Sequence, residues 1–368
     1  MDVVLEITDS FISDYIYAWA HPANPAAPYD YLDAANTTIT SSWQYKPASS
    51  FFRIEPAQAA YMSAWNRDNI YRQTITLFLI TWYEEKPPIA SASGAQLLTA
   101  RLPMLRIFGF LLYFLFASLS WMLIFDKRAT EHPRFLKNQM WLEIKQANSA
   151  MPGMSALTTP FWLLEVNGYT KLYDNSADGP GLWYDILQFP FFILFTDACI
   201  YLIHRGLHHP LVYKHLHKPH HKWIVPTPFA SHAFHPVDGW MQSIPYHVFP
   251  MLFPLNKYAS VALFVFVNFW TILIHDGEYL ANSPAINGAA CHTMHHLYFN
   301  YNYGQYTTLW DRLGNSYRKP NEALFQKEEK MSKDEWQNQL KGVTEMVQQV
   351  EGEDDRMYDS SAVSKKNK

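Results

Sequence analysis

The sequence predicts an all-α integral membrane protein: about four transmembrane helices carrying a cytosol-facing helical domain rich in histidine. Three observations predict it. Fourteen of the 16 histidines fall between His204 and His296, in boxes with helical spacing. Long apolar runs without charge flank those boxes. Charged residues make up 17% of the 368-residue chain, against ~25% in ordinary soluble proteins, while aromatics reach 16%.

The chain divides into an N-terminal region of poorly defined organisation (1–100), a membrane-embedded domain (101–320), and a cytosolic amphipathic helix with a disordered tail (321–368). The net charge of −4 gives no reason to expect a nucleic-acid partner, and two cysteines exclude a disulfide framework. Met1–Ser10 contains Asp2 and Glu6 but no basic residue, so it lacks the positive start of a signal peptide. Asn36-Thr37-Thr38 matches a glycosylation sequon, which matters only if that end is lumenal. Thr74–Tyr83 is uncharged but too short to cross a bilayer. Ile107–Phe125 has 19 residues without a charge, close to the ~20 that span a bilayer core. Residues 126–185 read as a mixed loop with a weak apolar patch at Phe161–Leu164.

Ile186–Ile203 is a second apolar run, interrupted by Pro190 and Asp197. Asp197 stands two turns before His204, where it would either orient a ligand or make an end-of-helix hydrogen bond. Trp240–Asn256 and Tyr258–Ile274 are charge-free runs divided only by Lys257, a pattern that fits a hairpin of two spanning helices. A hairpin returns the chain to the side it left. All histidine boxes then meet at one membrane face. The 204–239 loop carries Arg205, Lys214, Lys218 and Lys222 against Asp238, and positive loops stay cytosolic. The ending Lys365-Lys366-Asn367-Lys368 matches a dilysine retrieval signal for the endoplasmic reticulum, which works only in the cytosol. Residues 297–320 read as an aromatic cap beside the boxes, with Asp311 and Arg312 pairing with other charges or the ligand shell. Ser332–Glu335 fits a capping box. Trp336, Leu340, Val343, Val347 and Val350 follow at helical spacing.

The boxes themselves are His204-x3-His208, His217-x2-His220-His221 and His292-x2-His295-His296. Residues i, i+3 and i+4 share one side of a helix, so each box aims its imidazoles together. Imidazoles gathered in this way are best tolerated neutral, and neutral imidazole is the commonest metal ligand. Eight boxed nitrogens exceed the three or four protein ligands of one zinc ion. Cys199 and Cys291 cannot hold an iron–sulfur cluster alone, and the Glu-x-x-His pairs of soluble di-iron bundles are absent. The set divides naturally between two metal ions that keep positions open for oxygen. A histidine-rich di-iron domain is favoured, with two zinc ions as the alternative.

Boxes of this form between membrane spans resemble the fatty acid hydroxylase/sterol desaturase superfamily. The longer stretches H-R-G-L-H-H-P-L-V-Y-K-H-L-H-K-P-H-H-K-W, T-P-F-A-S-H-A-F-H-P-V-D-G, I-H-D-G-E-Y-L and C-H-T-M-H-H-L-Y-F-N-Y-N-Y-G-Q-Y-T-T-L-W-D-R-L-G look like its fungal sterol C-5 desaturase branch, continuously from about Trp183 to Pro320. The resemblance implies a non-haem di-iron enzyme of the endoplasmic reticulum membrane. Such an enzyme inserts the C5=C6 bond into a Δ7-sterol such as episterol during ergosterol synthesis. Dioxygen is the oxidant, and electrons come from NAD(P)H through a reductase and cytochrome b5. Carried over box by box, the catalytic metal ligands are His204, His208, His217, His220, His221, His292, His295 and His296. His275, in I-H-D-G, matches a superfamily histidine at a span end. His235, in H-P-V-D, is an extra ligand or a neighbour of the ligands, and His209 falls outside its box. A sterol C-4 methyl oxidase or lipid hydroxylase is the alternative within the class. A zinc transporter is the alternative outside it.

Overall fold

The computed structural model describes residues 2–23, 54, 56–81, 107–280 and 282–358. Its regular structure is helical apart from a parallel pairing of Leu172–Tyr173 (β1) with Leu255–Asn256 (β2) and three isolated bridges. The Asn36 sequon and the Lys365–Lys368 ending lie outside the described residues. At the N-terminus, α1 (Asp2–Thr8) runs through a π turn (Asp9–Ser13) into α2 (Asp14–Ala20). Then comes α3 (Ile70–Thr81), which takes in most of the Thr74–Tyr83 run.

The apolar runs become α4 (Ile107–Leu123), α6 (Leu182–Leu207), α9 (Pro236–Leu252) and α10 (Lys257–His275). Only α6 and α10, among the described residues, are both long and apolar enough to cross a membrane. The other two have 17 residues each. In α9, Pro245 and Pro250 also remove main-chain donors. The expected short α9–α10 connection is present, but the two helices do not form a tightly packed pair, since α9 packs on α5 and α6 while α10 packs on α4 and the Pro228–His232 turn. The turn at 253–256 is fastened where β2 pairs β1 and where Asn256 caps α10 through Tyr258 and Ala259.

Residues 126–185, expected to be a loop, contain the longest helix described: α5 (Gln139–Val166), 28 residues. Apolar periodicity cannot reveal it, because its buried positions are Gln139, Glu143, Ala147, Ala150, Thr158 and Thr159. That polar face grips the chain after the second box. Gln139 Nε2 donates to the Val225 carbonyl at 2.7 Å, and Gln146 Nε2 to the carbonyls of Pro219 and Ala233, each at 3.0 Å. Glu143 accepts from the Thr227 hydroxyl and main-chain N–H. Where α5 crosses α9, Gly153 has no room for a side chain. A Cβ there would meet Pro236 Cβ at 2.7 Å.

The boxes sit on short pieces beyond these helices: α7 (Pro210–Leu216), α8 (Lys218–His221) and α11 (Ala289–Tyr298). After α12 (Leu309–Leu313) and α13 (Lys327–Lys330), α14 (Lys333–Val350) starts as expected, with Ser332 Oγ accepting from Glu335 N–H at 3.2 Å. It buries Val343 and Val347 against Tyr213, Ile224, Leu297 and Phe299, directly over the boxes. Each valine so buried contributes about 1.5–3 kcal/mol. The acidic stretch after Glu351, expected to be disordered, is an ordered strap as far as Tyr358. Buried Arg356 grips Glu351 at 2.7 and 2.9 Å and donates to the carbonyls of His221 (2.9 Å) and Lys222 (3.2 Å). The run thus carries its own counter-charge, since Arg356 pairs with Glu351 and Asp354.

Candidate metal centre

Five pieces of chain deliver nine histidines to one place. The last turn of α6 and the residue after it give His204 and His208. The α7–α8 junction gives His217, α8 gives His220 and His221, the end of α10 gives His275, and α11 gives His292, His295 and His296. They form two groups. His204, His208, His217, His221 and His295 make one, and His220, His275, His292 and His296 the other. Within each group the ring nitrogens lie within 4.8 Å of one another. The groups touch, with the His221 and His296 rings 5.0 Å apart.

Helical geometry explains the partition. A step of four residues turns about 40° one way and a step of three about 60° the other. In every box the i, i+4 pair stays together: His204 with His208, His217 with His221, His292 with His296. The i+3 residue, His220 or His295, crosses to the opposite group.

The hydrogen bonds decide which nitrogen faces inward. His204 Nδ1 lies 2.9 Å from the Tyr303 carbonyl, His295 Nδ1 2.7 Å from the Tyr301 carbonyl, and His275 Nδ1 2.7 Å from the Thr271 carbonyl. His217 Nδ1 lies 2.7 Å from Asp238 Oδ2. All four partners only accept, so each Nδ1 carries the proton and each Nε2 is a bare lone pair in the neutral ring. Yet the bare Nε2 atoms of His204 and His217 face each other at 3.1 Å. The Nε2 atom of His275 faces those of His292 at 3.0 Å and His220 at 3.4 Å. Lone pair against lone pair, as at His204 and His217, repels unless a cation lies between. Two nitrogens each about 2.0–2.1 Å from one ion stand roughly 3 Å apart at a right angle. Both ring nitrogens of His208, and Nδ1 of His220 and His221, are buried without a hydrogen-bond partner, which buried polar atoms rarely are.

Electrostatics agree. Burial, with added repulsion from neighbouring imidazoles, holds His208, His220, His221, His292, His295 and His296 well below the ordinary imidazole value. The rings are therefore neutral and available as ligands. The residues fit two metal ions bound by imidazole alone. The four-histidine group leaves more of an ion's coordination positions free than the five-histidine group.

Not every expected role is found where the sequence placed it. Asp197 touches no histidine. It accepts from the N–H groups of Gln305, Tyr306 and Thr307 and from the Thr307 hydroxyl. Asp311 accepts from Tyr303 and Gly304 N–H, both at 2.8 Å, and Arg312 donates to Thr308 and the Pro284 carbonyl rather than meeting a charge. Asp197 and Asp311 thus fix the loop whose carbonyls orient His204 and His295. Left-handed backbone at Phe299 (φ 54°) and Asn302 (φ 57°) turns that loop back over α11. His235 belongs to neither group. It caps α9, its Nδ1 accepting from Val237 N–H at 3.2 Å. His209 is exposed and caps α7. The residue that sequence reasoning missed is Asp238, further held by Gln242 at 2.8 Å. H-P-V-D placed an acid in the first turn of a helix, but no spacing connected it to His217.

Comparison with known proteins agrees with this geometry. The fatty acid hydroxylase family model matches residues 189–316, which hold all nine histidines. A probable Δ7-sterol 5(6)-desaturase of Neurospora crassa is 60% identical, with 99% of each chain covered. The Δ7-sterol 5(6)-desaturase of Leptosphaeria maculans is 58% identical over 100% of this chain and 99% of its own. That of Candida albicans is 46% identical over 97% of this chain and 99% of its own. No solved structure matches. With relatives this similar along their whole length, the chain belongs to the Δ7-sterol 5(6)-desaturase family, whose core is a fatty acid hydroxylase domain.

Proposed function

We propose that the protein introduces the C5=C6 double bond into a Δ7-sterol of the episterol type, in ergosterol biosynthesis, as a non-haem di-iron oxidoreductase. The observation that carries this reading is the pair of buried histidine groups, with the bare nitrogens of His204 and His217 opposed in one of them, set in a chain that aligns end to end with Δ7-sterol 5(6)-desaturases. The reaction takes one hydrogen each from C5 and C6 and reduces dioxygen to water. It therefore draws an electron pair and a pair of protons from outside the substrate. We assign the electrons to NAD(P)H, through a reductase and cytochrome b5.

Two iron ions held by these groups supply, with dioxygen, the oxidising power that unactivated ring carbons demand and no side chain has. The chain does the rest. Asp238 and the carbonyls of Tyr301, Tyr303 and Thr271 hold the Nδ1 protons, so that the opposite nitrogens point inward. Trp223, Tyr213 and Phe299, all at most 1% exposed, keep bulk water away. The sterol is dissolved in lipid and approaches sideways past the apolar faces of α6 and α10.

The same proposal places the enzyme in the endoplasmic reticulum membrane, with α4 and α9 joining α6 and α10 as about four spans. We read residues 101–320 as the catalytic domain and 321–368 as cytosolic, with α14 packed over the boxes. The groups lie at helix ends, unlike the mid-membrane ligands of transporters. Expression in a fungal strain lacking C-5 desaturation is expected to restore Δ5,7-sterols. Products altered only at C-4, or hydroxylated without a new double bond, would overturn the assignment. Protease protection of a tag at Lys368 in sealed microsomes would overturn the topology.

A further inference from the structure

The N-terminal helical segment is built inside out. From Leu5 to Ala20, every exposed side chain is apolar: Ile7, Phe11, Tyr15, Trp19 and Ala20. The four large ones recur at every fourth residue and form one stripe, with Phe11 68% and Trp19 71% exposed. The buried face is polar. Glu6, Thr8, Asp9, Ser10, Ser13 and Asp14 are all at most 7% exposed. Two arginines close this face. Arg72 meets Asp9 at 2.9 Å and Asp14 at 2.5 Å, and Arg67 meets Asp14 at 2.6 Å. Asp9 and Asp14 with Arg67 and Arg72 are neutral as a set, and Glu6, the third carboxyl of this face, accepts from Ile54 N–H at 3.1 Å.

The C-terminal helix α14 follows the opposite rule. Every exposed position from Lys333 to Val350 is polar, Lys333, Asp334, Lys341 and Glu345 among them, while Val343 and Val347 are buried. That is the pattern water imposes. Water as the outer solvent cannot account for the pattern of α1 and α2. Hydrocarbon can, because it favours an apolar exterior and requires internal charges to be paired.

We propose that the outer face of Asp2–Ala20 lies against lipid acyl chains, making the N-terminal unit an intramembrane part of the enzyme. The length suits this. Nineteen residues from Asp2 to Ala20 rise about 28 Å at 1.5 Å each, against a hydrocarbon core of about 30 Å. The apolar surface continues onto α3 at Ile70, Tyr71 and Ile75, all exposed. That helix joins the main bundle by packing on α5, where Asn167 Nδ2 donates to Gln73 Oε1 at 2.9 Å. The inference rests on the membrane reading above, so its test carries a separate control for that reading.

The test uses the full chain in phosphatidylcholine nanodiscs, in a C199S/C291S background. Spin labels go singly at Phe11→Cys, Tyr15→Cys and Trp19→Cys. Leu194→Cys on α6 is the lipid control and Lys341→Cys on α14 the water control. Collision with dissolved oxygen, which concentrates in lipid, is compared with collision with a water-soluble nickel chelate. The expected result is an oxygen-to-nickel ratio at all three N-terminal sites matching Leu194→Cys and several-fold above Lys341→Cys. A ratio like that of Lys341→Cys, with Leu194→Cys still lipid-like, would overturn the inference alone. Shielding from both reagents would overturn it in favour of a protein partner or a second copy of the chain. An aqueous Leu194→Cys would instead overturn the span assignment of α6, and the three N-terminal ratios would still decide the N-terminal unit.

Discussion

The two histidine groups are supported to different degrees. In the five-histidine group, three rings are fixed from behind by parts of the chain other than their own helix: His204 by Tyr303, His295 by Tyr301 and His217 by Asp238. In the four-histidine group, His275 has a comparable bond, to Thr271 one turn back in its own helix. Nδ1 of His220 has no partner. The difference teaches where rigidity is spent. Three of the five rings in one group are held by other parts of the chain, with His208 and His221 left to their own helices. In the other group the one such bond comes from the ring's own helix, at the group with more free coordination positions.

The largest effects should come from removing one nitrogen from each group. His295→Ala and His220→Ala are both expected to abolish turnover while the protein accumulates. They should differ in iron. Loss of His295 leaves four nitrogens, two on scaffold-fixed rings. Loss of His220 leaves three, with only His275 fixed. Iron analysis of the purified variants should therefore find less metal in His220→Ala. Equal retention would remove the contrast between the groups, and stoichiometric zinc in an active wild-type enzyme would remove the di-iron reading.

Next in size is the strap. Arg356→Ala leaves Glu351, which also accepts from Tyr213 at 2.9 Å, buried without its guanidinium and with Lys218 at 3.3 Å as its remaining cation. Breaking a buried pair costs up to about 3–5 kcal/mol when the charge is left alone, and Lys218 offsets part of this, so thermal unfolding should shift clearly downward. Because Arg356 bonds the carbonyl of His221, iron should be lost first from the five-histidine group. Asp238→Ala should be smaller and more specific. It frees the His217 ring to turn and to change tautomer, and loss of such a partner typically weakens metal binding about 10–100-fold. Chelator competition measures this. Iron retention equal to wild type would show that the five-histidine group does not depend on its outer support.

Much of this was legible in the sequence, for a physical reason. Histidine is rare enough, and helical spacing regular enough, that the three boxes stand out. The 40° and 60° steps of a helix even contain the partition, since i, i+4 pairs stay together and the i+3 residue crosses. Reading each box as aimed at a single point blurred that distinction. The outer support was hidden for a different reason. Three of its four acceptors are main-chain carbonyls of Tyr301, Tyr303 and Thr271, which carry no side-chain signature. Helix α5 was hidden because it buries Gln139, Glu143 and small residues, so hydrophobic periodicity is silent. Asp197, expected to orient a ligand or make an end-of-helix hydrogen bond, accepts instead from the loop. It serves His204 through the loop of residues 305–307, which neighbours Tyr303.

The smallest expected effects concern the two histidines that sit beside the centre without joining it. His209 is exposed, and its Nδ1 accepts from Leu211 N–H at a long 3.4 Å. An N-cap is worth about 0.5–2 kcal/mol, and so long a bond belongs at the low end. His209→Ala should leave iron and turnover close to wild type. His235 is the sharper case. It caps α9 three residues before Asp238, so its loss acts on the turn that holds the His217 partner. His235→Ala should lower thermal stability slightly and weaken iron binding less than Asp238→Ala does. His235→Asn should restore both, because Asn caps a helix as well as any residue. A ligand would behave otherwise. If His235→Ala loses iron as completely as His295→Ala, and Asn fails to rescue it, His235 binds metal and the five-histidine group has a sixth member.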